Sequence, residues 1–384
     1  MKMQWRSLVM GMCLAALAAC SRADVAPTPP DAQGLRLRTV ASGLANPWGL
    51  AFLPDGRMLV TERSGQLRLI GRDGQPSQPI DGVPEVDAKG QGGLLDVAVD
   101  PQFTENGFVY LSYAEKGDPS HTPPSSAEVN GTAVARGKLV GNRLESTTVI
   151  FRQQPKVRGS AHFGSRLVFA RDGRLFITLG DRFAHRDQAQ NLENHFGKVI
   201  RIESDGRVPK DNPFVSTPSA RPEIWSYGHR NMQGAALHPG TGELWTNEHG
   251  PQGGDEINLD LPGRNYGWPV ITYGAEYGSG KAIGESTAKT GMEQPQHHWV
   301  PSIATSGMAF LTSERYPGWK GDVFVGGLAG KTLVRLSLDG NKVTGEQRLL
   351  SDLKERIRAV VQGPDGWLYV LTDHPKGRVL RVER

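Results

Sequence analysis

Cysteine is nearly absent from this 384-residue sequence, which contains only Cys13 and Cys20. Both lie within the first twenty residues, so the rest of the chain has no disulfide, no cysteine nucleophile and no thiolate metal site. The CxxCH motif that attaches haem is also absent from the sequence. The sequence therefore has no motif for covalently attached haem.

The sequence also lacks a block of charge of one sign. Removing residues 1–19 takes away Lys2 and Arg6 and no acid, which leaves 42 basic residues against 40 acidic ones. No basic helix and no run of Lys and Arg is present. Nucleic-acid binding is therefore not expected.

The first nineteen residues have the layout of an export signal. Lys2 and Arg6 precede an apolar stretch over residues 8–19, which is too short to span a bilayer. We therefore predict a signal peptide at residues 1–19.

The sequence LAAC, which ends at Cys20, resembles the bacterial lipobox, in which the cysteine is acylated and becomes the mature N-terminus. Ser21 at the next position favours sorting to the outer membrane, facing the periplasm. Residues 20–34 are rich in Pro and Ala and predict a flexible tether from a lipidated Cys20, the only membrane attachment expected. An ordinary secretory signal is the alternative.

Few segments have a helical hydrophobic period, whereas the chain contains 48 glycines. Short apolar runs between Gly-rich turns are typical of an all-β fold. One phrase recurs six times: an apolar run, a turn such as Pro-Asp-Gly, and a second apolar run. The six copies span residues 47–63, 92–113, 163–182, 232–250, 306–328 and 357–374.

Radial repetition of such a hairpin is typical of a β-propeller. We predict that each copy supplies the first two strands of a four-stranded sheet, and that residues 35–384 form one six-bladed β-propeller. A two-sheet sandwich is the alternative, but it does not explain the repeated hairpin. The longer spacers 114–134, 203–222 and 276–297 are expected to form loops on one face, where binding sites are usually built.

Polar residues stand next to the predicted inner strands, at the point where each strand begins or ends. If these positions converge at one mouth of the central channel, several cations meet there and require an anionic ligand. The residues concerned are Gln91, His162, Arg230, Asn231, Lys331, Arg356 and Arg358.

The segment NEHGPQGGDEIN, residues 247–258, has more glycine and proline than a turn needs. Such residues allow main-chain carbonyls to approach a ligand closely, and carbonyl oxygens beside Asp255 and Glu256 suit a hard cation such as calcium. A tight hairpin turn with an acidic tip is the alternative.

From about Leu37 to the C-terminus, the sequence resembles the soluble PQQ-dependent glucose/sorbosone dehydrogenase family, and most closely its bacterial aldose sugar dehydrogenases. Met232 departs from the family pattern, in which proline usually follows HRN, and Ala161 stands where glucose-type members carry an acid. The motifs that carry the resemblance are GQGGLLDVAVDPQF, HFGSRLVFARDGRLFITLGDR, AQNLENHFGKVIRI, PEIWSYGHRNMQG, EHGPQGGDEINL, GRNYGWPVITYG and RIRAVVQGPDGWLYVLTD.

The resemblance implies two cofactors, PQQ and calcium. It implies that the carbonyls of Gly250 and Pro251 hold the calcium that also chelates PQQ, and that Glu256 and Tyr266 hold a further calcium through main-chain oxygens. The residues it implies for PQQ binding are Gln91, Arg230, Asn231, Tyr277, Ser302, Lys331, Arg356 and Arg358.

By the same resemblance, catalysis falls to His162 and Arg230, with His162 as the general base. The implied reaction oxidises an aldose at C1 to a lactone, and the electrons pass to an external acceptor such as a cytochrome or a quinone. Imidazole has a suitable pKa for this role near neutral pH. A calcium-dependent propeller lactonase or hydrolase and a non-catalytic propeller scaffold are the alternatives.

Overall fold

The computed structural model describes residues 34–117 and 128–384. The predicted signal peptide, Cys20 and nearly all of the predicted tether lie outside these residues. Helix in the described part is limited to α1 (Phe103–Asn106) and two 3-10 turns, at Arg186–Gln190 and Ser351–Leu353. No helix in these two ranges is long and apolar enough to cross a membrane.

Twenty-three β-strands account for most of the ordered architecture. In chain order they are β1 (Arg36–Leu44), β2 (Pro47–Phe52), β3 (Met58–Glu62), β4 (Gln66–Ile70), β5 (Leu94–Val99), β6 (Phe108–Lys116), β7 (Asn130–Val140), β8 (Arg143–Arg152), β9 (Leu167–Phe169), β10 (Leu175–Thr178), β11 (Lys198–Ile202), β12 (Ile224–Tyr227), β13 (Met232–Leu237), β14 (Leu244–Glu248), β15 (Asp255–Asp260), β16 (His297–Trp299), β17 (Thr305–Phe310), β18 (Val323–Gly327), β19 (Leu333–Asp339), β20 (Lys342–Leu349), β21 (Ile357–Gln362), β22 (Leu368–Thr372) and β23 (Gly377–Glu383).

These strands form six antiparallel sheets, and five of them are meanders of strands that follow one another in the chain. The first strand of each sheet packs against the first strand of the next, which closes a ring through β2, β5, β9, β13, β17 and β21. This ring confirms the predicted six-bladed β-propeller, with each blade beginning in one of the six sequence copies.

The first and last blades differ from the prediction that every copy completes its own four-stranded sheet. The first sheet contains three strands, β2, β3 and β4. The last sheet takes its outer strand from the start of the domain, because β1 pairs with β23, from Arg36 opposite Glu383 to Leu44 opposite Gly377. The ring is therefore closed by main-chain hydrogen bonds between the two ends of the domain.

A three-residue turn ending in Asp-Gly joins the first two strands in three of the blades. The Asp carboxylate accepts a hydrogen bond from the main-chain N–H two residues later, as Asp55 does from Arg57 at 3.0 Å. The Gly has a positive φ, for example +84° at Gly56, which side-chain-bearing residues rarely adopt. The three turns are 54–56, 171–173 and 364–366.

An apolar cluster fills the space between each pair of neighbouring sheets. Between the fourth and fifth sheets, for example, the fully buried Trp245 and Ile257 pack with Val325 and Val334. Burial of this kind stabilises by about 1.5–3 kcal/mol for each large apolar side chain. The blades are therefore held together by side-chain packing, and their connecting loops remain available for a site.

Candidate active site

A cleft of about 170 Å³ opens at one mouth of the central channel. Its walls come from residues near the start of the innermost strand or the end of the second strand of each blade, so all six blades contribute to it. The polar and charged residues that line it are Arg63, Gln91, Asn231, Gln233, His249, Arg356, Arg358 and Asp373.

The cleft carries an excess of positive charge. Three arginines line it, Arg63, Arg356 and Arg358, against one carboxylate, Asp373. His249 adds no charge, because burial, together with the charge of Arg230, lowers its pKa to about 3. An anion with several carboxylates would satisfy this arrangement, since arginine forks match carboxylate geometry.

Arg358 lies at the floor of the cleft and is the most deeply buried of these cations. Burial lowers its pKa to about 10, in spite of the nearby Asp373. Its guanidinium donates to Gln233 Oε1 at 3.0 Å and to Asp373 at 3.4 Å, and its Nε has no hydrogen-bond partner among the described residues. A buried donor without a partner is costly, and an anionic ligand in the cleft would satisfy it.

Arg356 and Gln91 stand higher on the wall. Arg356 is half-exposed and shares Asp373 with Arg358, donating at 3.0 Å. Gln91 accepts the main-chain N–H of His162 at 2.8 Å, and Asn231 accepts that of Gly164 at 3.2 Å. The structure therefore brings these sequence-predicted residues together at one mouth.

Arg230 is buried beside the cleft and connects it to the glycine-rich turn. Its Nη1 donates to the main-chain carbonyls of His249 at 3.0 Å and Gly250 at 2.7 Å. Its guanidinium also faces the ring of Trp268, 5.4 Å from the ring centroid. The guanidinium, which can bind an anion, and the Gly250 carbonyl, which can bind a cation, thus lie side by side. A site that holds an anion together with a cation requires this arrangement.

His162 forms a dyad with Asp181. The two are buried, and His162 Nδ1 lies 2.6 Å from Asp181 Oδ1. Burial lowers the pKa of His162 below its ordinary value, although the hydrogen bond and charge of Asp181 act in the opposite direction. Burial also opposes ionisation of Asp181, but the hydrogen bond from His162 and nearby positive charge hold the pKa of Asp181 below its ordinary value. His162 is therefore neutral near pH 7, with its Nδ1 proton donated to Asp181 and a lone pair on Nε2.

Three further hydrogen bonds fix Asp181. Trp268 Nε1 donates to its second carboxylate oxygen at 2.8 Å, and the Phe183 main-chain N–H donates to the first at 2.8 Å. The Asp181 main-chain N–H donates to the Arg230 carbonyl at 2.8 Å. The orientation of the dyad is thus tied to the same residues that surround Arg230.

The glycine-rich turn is as tightly folded as its composition suggests. A Cβ at Gly250 would lie 2.2 Å from the Gly253 carbonyl oxygen and 2.3 Å from Gly254, so the position has no room for a side chain. Gly253 and Gly254 both have positive φ values, +82° and +75°. Asp255 stabilises the turn, because its carboxylate accepts a hydrogen bond from the Gly250 N–H at 3.0 Å.

A second small cavity, of about 10 Å³, lies beneath this turn and is lined in part by Glu248, Glu256 and Tyr266. It is about the size of one water molecule or ion. Burial and the charge of Glu248 raise the pKa of Glu256. Within residues 34–117 and 128–384, no group of three or more His, Cys, Asp or Glu side chains is arranged to hold a metal ion. A calcium ion here would depend on carbonyl oxygens, which it accepts readily.

The opposite mouth of the channel has a larger cavity, of about 360 Å³, lined mostly by apolar residues. Arg166 separates the two mouths, donating to the Gln233 carbonyl at 2.6 Å and to Asp96 at 3.1 Å. The three arginines that line the cleft and the His162 dyad belong to the first mouth, which is therefore the candidate active site.

Comparison with known proteins agrees with this geometry. Residues 44–381 match the glucose/sorbosone dehydrogenase family. The chain is 47% identical over 344 residues to the aldose sugar dehydrogenase YliI of Escherichia coli (strain K12), covering 88% of this chain and 90% of that protein. The chain belongs to the glucose/sorbosone dehydrogenase family. It is accordingly an oxidoreductase.

Two solved structures of similar proteins support the assignment. The apo-form of the soluble aldose sugar dehydrogenase from Escherichia coli superposes with a TM-score of 0.86 at 45% identity, covering 91% of this chain and 99% of that one. The PQQ-bound form of aldose sugar dehydrogenase from Streptomyces coelicolor superposes with a TM-score of 0.72 at 29% identity, covering 93% and 100%.

Three residues that the resemblance assigned to PQQ binding are not among the residues that line this cleft. Tyr277 is 57% exposed, and its hydroxyl accepts a hydrogen bond from Arg230 at 3.3 Å. Ser302 donates to Asp255 at 2.7 Å, so its visible role is to support the turn. Lys331 is exposed on the turn that also supplies Leu328 to the cleft wall.

Three residues of the site were not predicted from the sequence: Asp181, Trp268 and Arg63. The segment GDR at 180–182 follows β10 after one residue, and this acidic residue at the mouth of a blade was the available signal for Asp181. No local pattern marks Trp268 or Arg63. By contrast, His195 and His229 lie outside the cleft, where each is buried against carboxylates.

Proposed function

We propose that this chain is a PQQ- and calcium-dependent aldose dehydrogenase that oxidises the sugar at C1 to a lactone. The observation that carries the proposal is the His162–Asp181 dyad beside a cleft rich in arginine. The similarity to a relative solved in a PQQ-bound form supports the choice of cofactor.

The residues of the cleft fit the tricarboxylate PQQ. Arg356 and Arg358 would bind its carboxylates, with the unpartnered Nε of Arg358 as one donor. Arg63, Gln91 and Asn231 would add hydrogen bonds from the walls. When bound, PQQ supplies a quinone that accepts a hydride.

The Gly250 turn fits a calcium ion next to that cofactor. The carbonyl of Gly250 faces the Arg230 guanidinium and, with Pro251, would contribute oxygen ligands. Glu256 and Tyr266, beside the small second cavity, would hold the structural calcium. A cation in that cavity would also compensate the two neighbouring carboxylates of Glu248 and Glu256.

His162 would act on the sugar as a general base. With Nδ1 bound to Asp181, its Nε2 takes the proton of the C1 hydroxyl while the C1 hydride departs, so that C1–OH becomes the lactone carbonyl. Asp181 stabilises the imidazolium that results, and Arg230 places positive charge beside the cleft, next to the Gly250 carbonyl. The electrons then leave to an external acceptor, because the folded chain has no haem-attachment motif.

Purified protein reconstituted with PQQ and calcium tests this function. We expect reduction of an artificial dye with aldoses, and no reduction with ketoses or lactones. Release of acid from a lactone without PQQ would instead favour a calcium-dependent lactonase, and no turnover of either substrate class would favour a non-catalytic scaffold.

We also propose that Cys20 is acylated and holds the enzyme at the outer membrane, facing the periplasm. The support is the LAAC sequence in front of Cys20. Cys20→Ser should move the protein from the membrane fraction to the soluble periplasmic fraction, and a wild-type protein that is already soluble would contradict the proposal.

A further inference from the structure

An exposed aromatic side chain stands directly over the candidate base. The side chain of Phe183 is 55% exposed, and its ring meets the ring of His162 edge to face, with centroids 5.2 Å apart. Among the described residues, Phe183 and Tyr277 are the aromatic members of a set of six exposed large hydrophobic side chains. Tyr277 hydrogen-bonds to Arg230, so both exposed aromatics belong to the mouth of the cleft.

The backbone holds Phe183 outward at some cost in conformational energy. Arg182 and Phe183 both have positive φ values, +59° and +61°, which are unfavourable for residues with bulky side chains. Backbone strain of this kind, about 1–3 kcal/mol for each residue, is typical of functional sites. Packing does not explain it, since more than half of the Phe183 side chain faces solvent.

Two anchors keep this strained turn in place. The guanidinium of Arg182 is buried and donates to the main-chain carbonyls of Asn130 at 2.9 Å and Gly159 at 2.8 Å. On the other side, the Phe183 N–H donates to Asp181, the partner of the base. The position of the Phe183 ring is thus fixed relative to the His162 imidazole.

A salt bridge joins the Phe183 segment to the Tyr277 segment. Arg186 Nη1 lies 2.7 Å from Glu276 Oε1, which connects the loop after Phe183 with the residue before Tyr277. Two exposed aromatic rings are thereby held on adjoining loops beside the base and Arg230. Concave sites lined by aromatic side chains and a few polar groups are typical of small-molecule binding.

We propose that Phe183 contacts the sugar and helps to determine which aldoses are oxidised. Its ring supplies an apolar surface against which the C–H face of the sugar ring packs, with C1 directed at His162 Nε2. An axial hydroxyl on that face would separate the two rings, so Phe183 favours sugars whose packed face carries only C–H groups. This inference rests on the proposed aldose oxidation.

The first test compares Phe183→Ala with Phe183→Tyr and with Val215→Ala, which removes an exposed apolar side chain (39% exposed) outside the cleft. With PQQ and calcium bound, we expect Phe183→Ala to lower kcat/KM for the preferred aldose by roughly tenfold, mainly through KM. We expect its discrimination between epimers to shrink. Phe183→Tyr should retain most of the wild-type value, and Val215→Ala all of it.

The second test needs no turnover. A 1,5-anhydroalditol keeps the sugar ring but lacks the anomeric hydroxyl, so it should bind without reacting. In saturation-transfer NMR with the wild-type protein, we expect the strongest signals from the C–H protons of one ring face, and we expect them to weaken in Phe183→Ala.

The outcomes separate this inference from the proposed function. Unchanged KM and epimer preference in an active Phe183→Ala enzyme would overturn the role of Phe183 and leave aldose oxidation standing. A changed pH profile with unchanged KM and unchanged NMR contacts would also overturn it, because Phe183 would then act only on His162. A wild-type protein that binds the anhydroalditol through Phe183 but oxidises no aldose would refute the proposed function alone.

Discussion

At the level of single residues, the proposed reaction depends on how the protein sets the protonation state of His162. Burial keeps its pKa low, so the imidazole is neutral near pH 7, and Asp181 orients the ring while opposing part of that shift. In the wild-type enzyme, kcat/KM should therefore fall only as the pH drops below the ordinary histidine value of about 6.5.

Asp181→Asn should move this acidic limb to lower pH and slow the reaction. The substitution removes the charge and the accepted hydrogen bond that raise the pKa of His162, so the imidazole becomes a weaker and less well oriented base. We expect kcat to fall about 10- to 100-fold, the range known for groups that orient metal-bound histidines. A pH–rate profile of kcat/KM measures both effects, with Asp172→Asn as a control outside the cleft. An acidic limb that stays in place would contradict the assigned role of Asp181.

Arg358→Ala should weaken PQQ binding. The loss of a charge-assisted hydrogen bond in a buried site corresponds to about 1.5–3 kcal/mol. Isothermal titration calorimetry of the apoprotein with PQQ measures this change in binding free energy. Arg207→Ala, at a side chain that is 79% exposed, is the matched control. Equal PQQ affinity in Arg358→Ala and the control would mean that the anion site lies elsewhere.

At the scale of elements, the turn after β14 combines tight backbone geometry with the expected calcium ligands. Gly250→Ala should disrupt it, because the added Cβ would lie 2.2 Å from the Gly253 oxygen. Overpacking of this kind costs about 1–3 kcal/mol, and here it would displace the carbonyl that faces Arg230.

The melting temperature, measured at increasing calcium concentrations, shows how far calcium stabilises each variant. Gly345→Ala, where the nearest atom to an added Cβ is 3.8 Å away, should leave calcium stabilisation unchanged. Gly250→Ala should reduce or abolish the stabilisation. If both variants respond to calcium as the wild type does, the ion is not held by this turn.

At the scale of the whole molecule, the ring is closed by β1. A chain that begins at residue 46 loses this strand together with the buried Ala41 and Leu44, whereas a chain that begins at residue 34 keeps them. Loss of these buried side chains and of the main-chain hydrogen bonds of a full strand removes several kcal/mol from the free energy of unfolding. That free energy is typically about 5–15 kcal/mol. We expect the shorter chain to melt at least about 10 °C lower or to be insoluble. Equal melting temperatures would contradict closure by β1.

The sequence was informative about the fold for a physical reason. A repeated hairpin needs an apolar run, a turn and a second apolar run in every blade, so the six copies could be read directly from residues 47–374. The closure by β1 leaves no such mark, because the strand RLRTVASGL belongs to no copy and its partner lies more than 330 residues away.

The site was predictable where its residues stand at the innermost strands of the blades. His162, Arg230 and Arg358 lie next to inner strands, and the structure brings them to one mouth. Asp181 and Trp268 reach the base from two different loops, 87 positions apart, and only the three-dimensional arrangement reveals their hydrogen bond.

We propose that His162 removes the proton of the C1 hydroxyl during aldose oxidation. Single-turnover stopped-flow measurements on the His162→Asn variant test this step. The variant should bind PQQ and calcium as the wild type does, since the arginines and main-chain carbonyls that hold them are unchanged. We expect excess aldose to reduce the bound cofactor about 10²- to 10⁴-fold more slowly in the variant than in the wild type. Reduction at the wild-type rate with full cofactor occupancy would contradict the proposal.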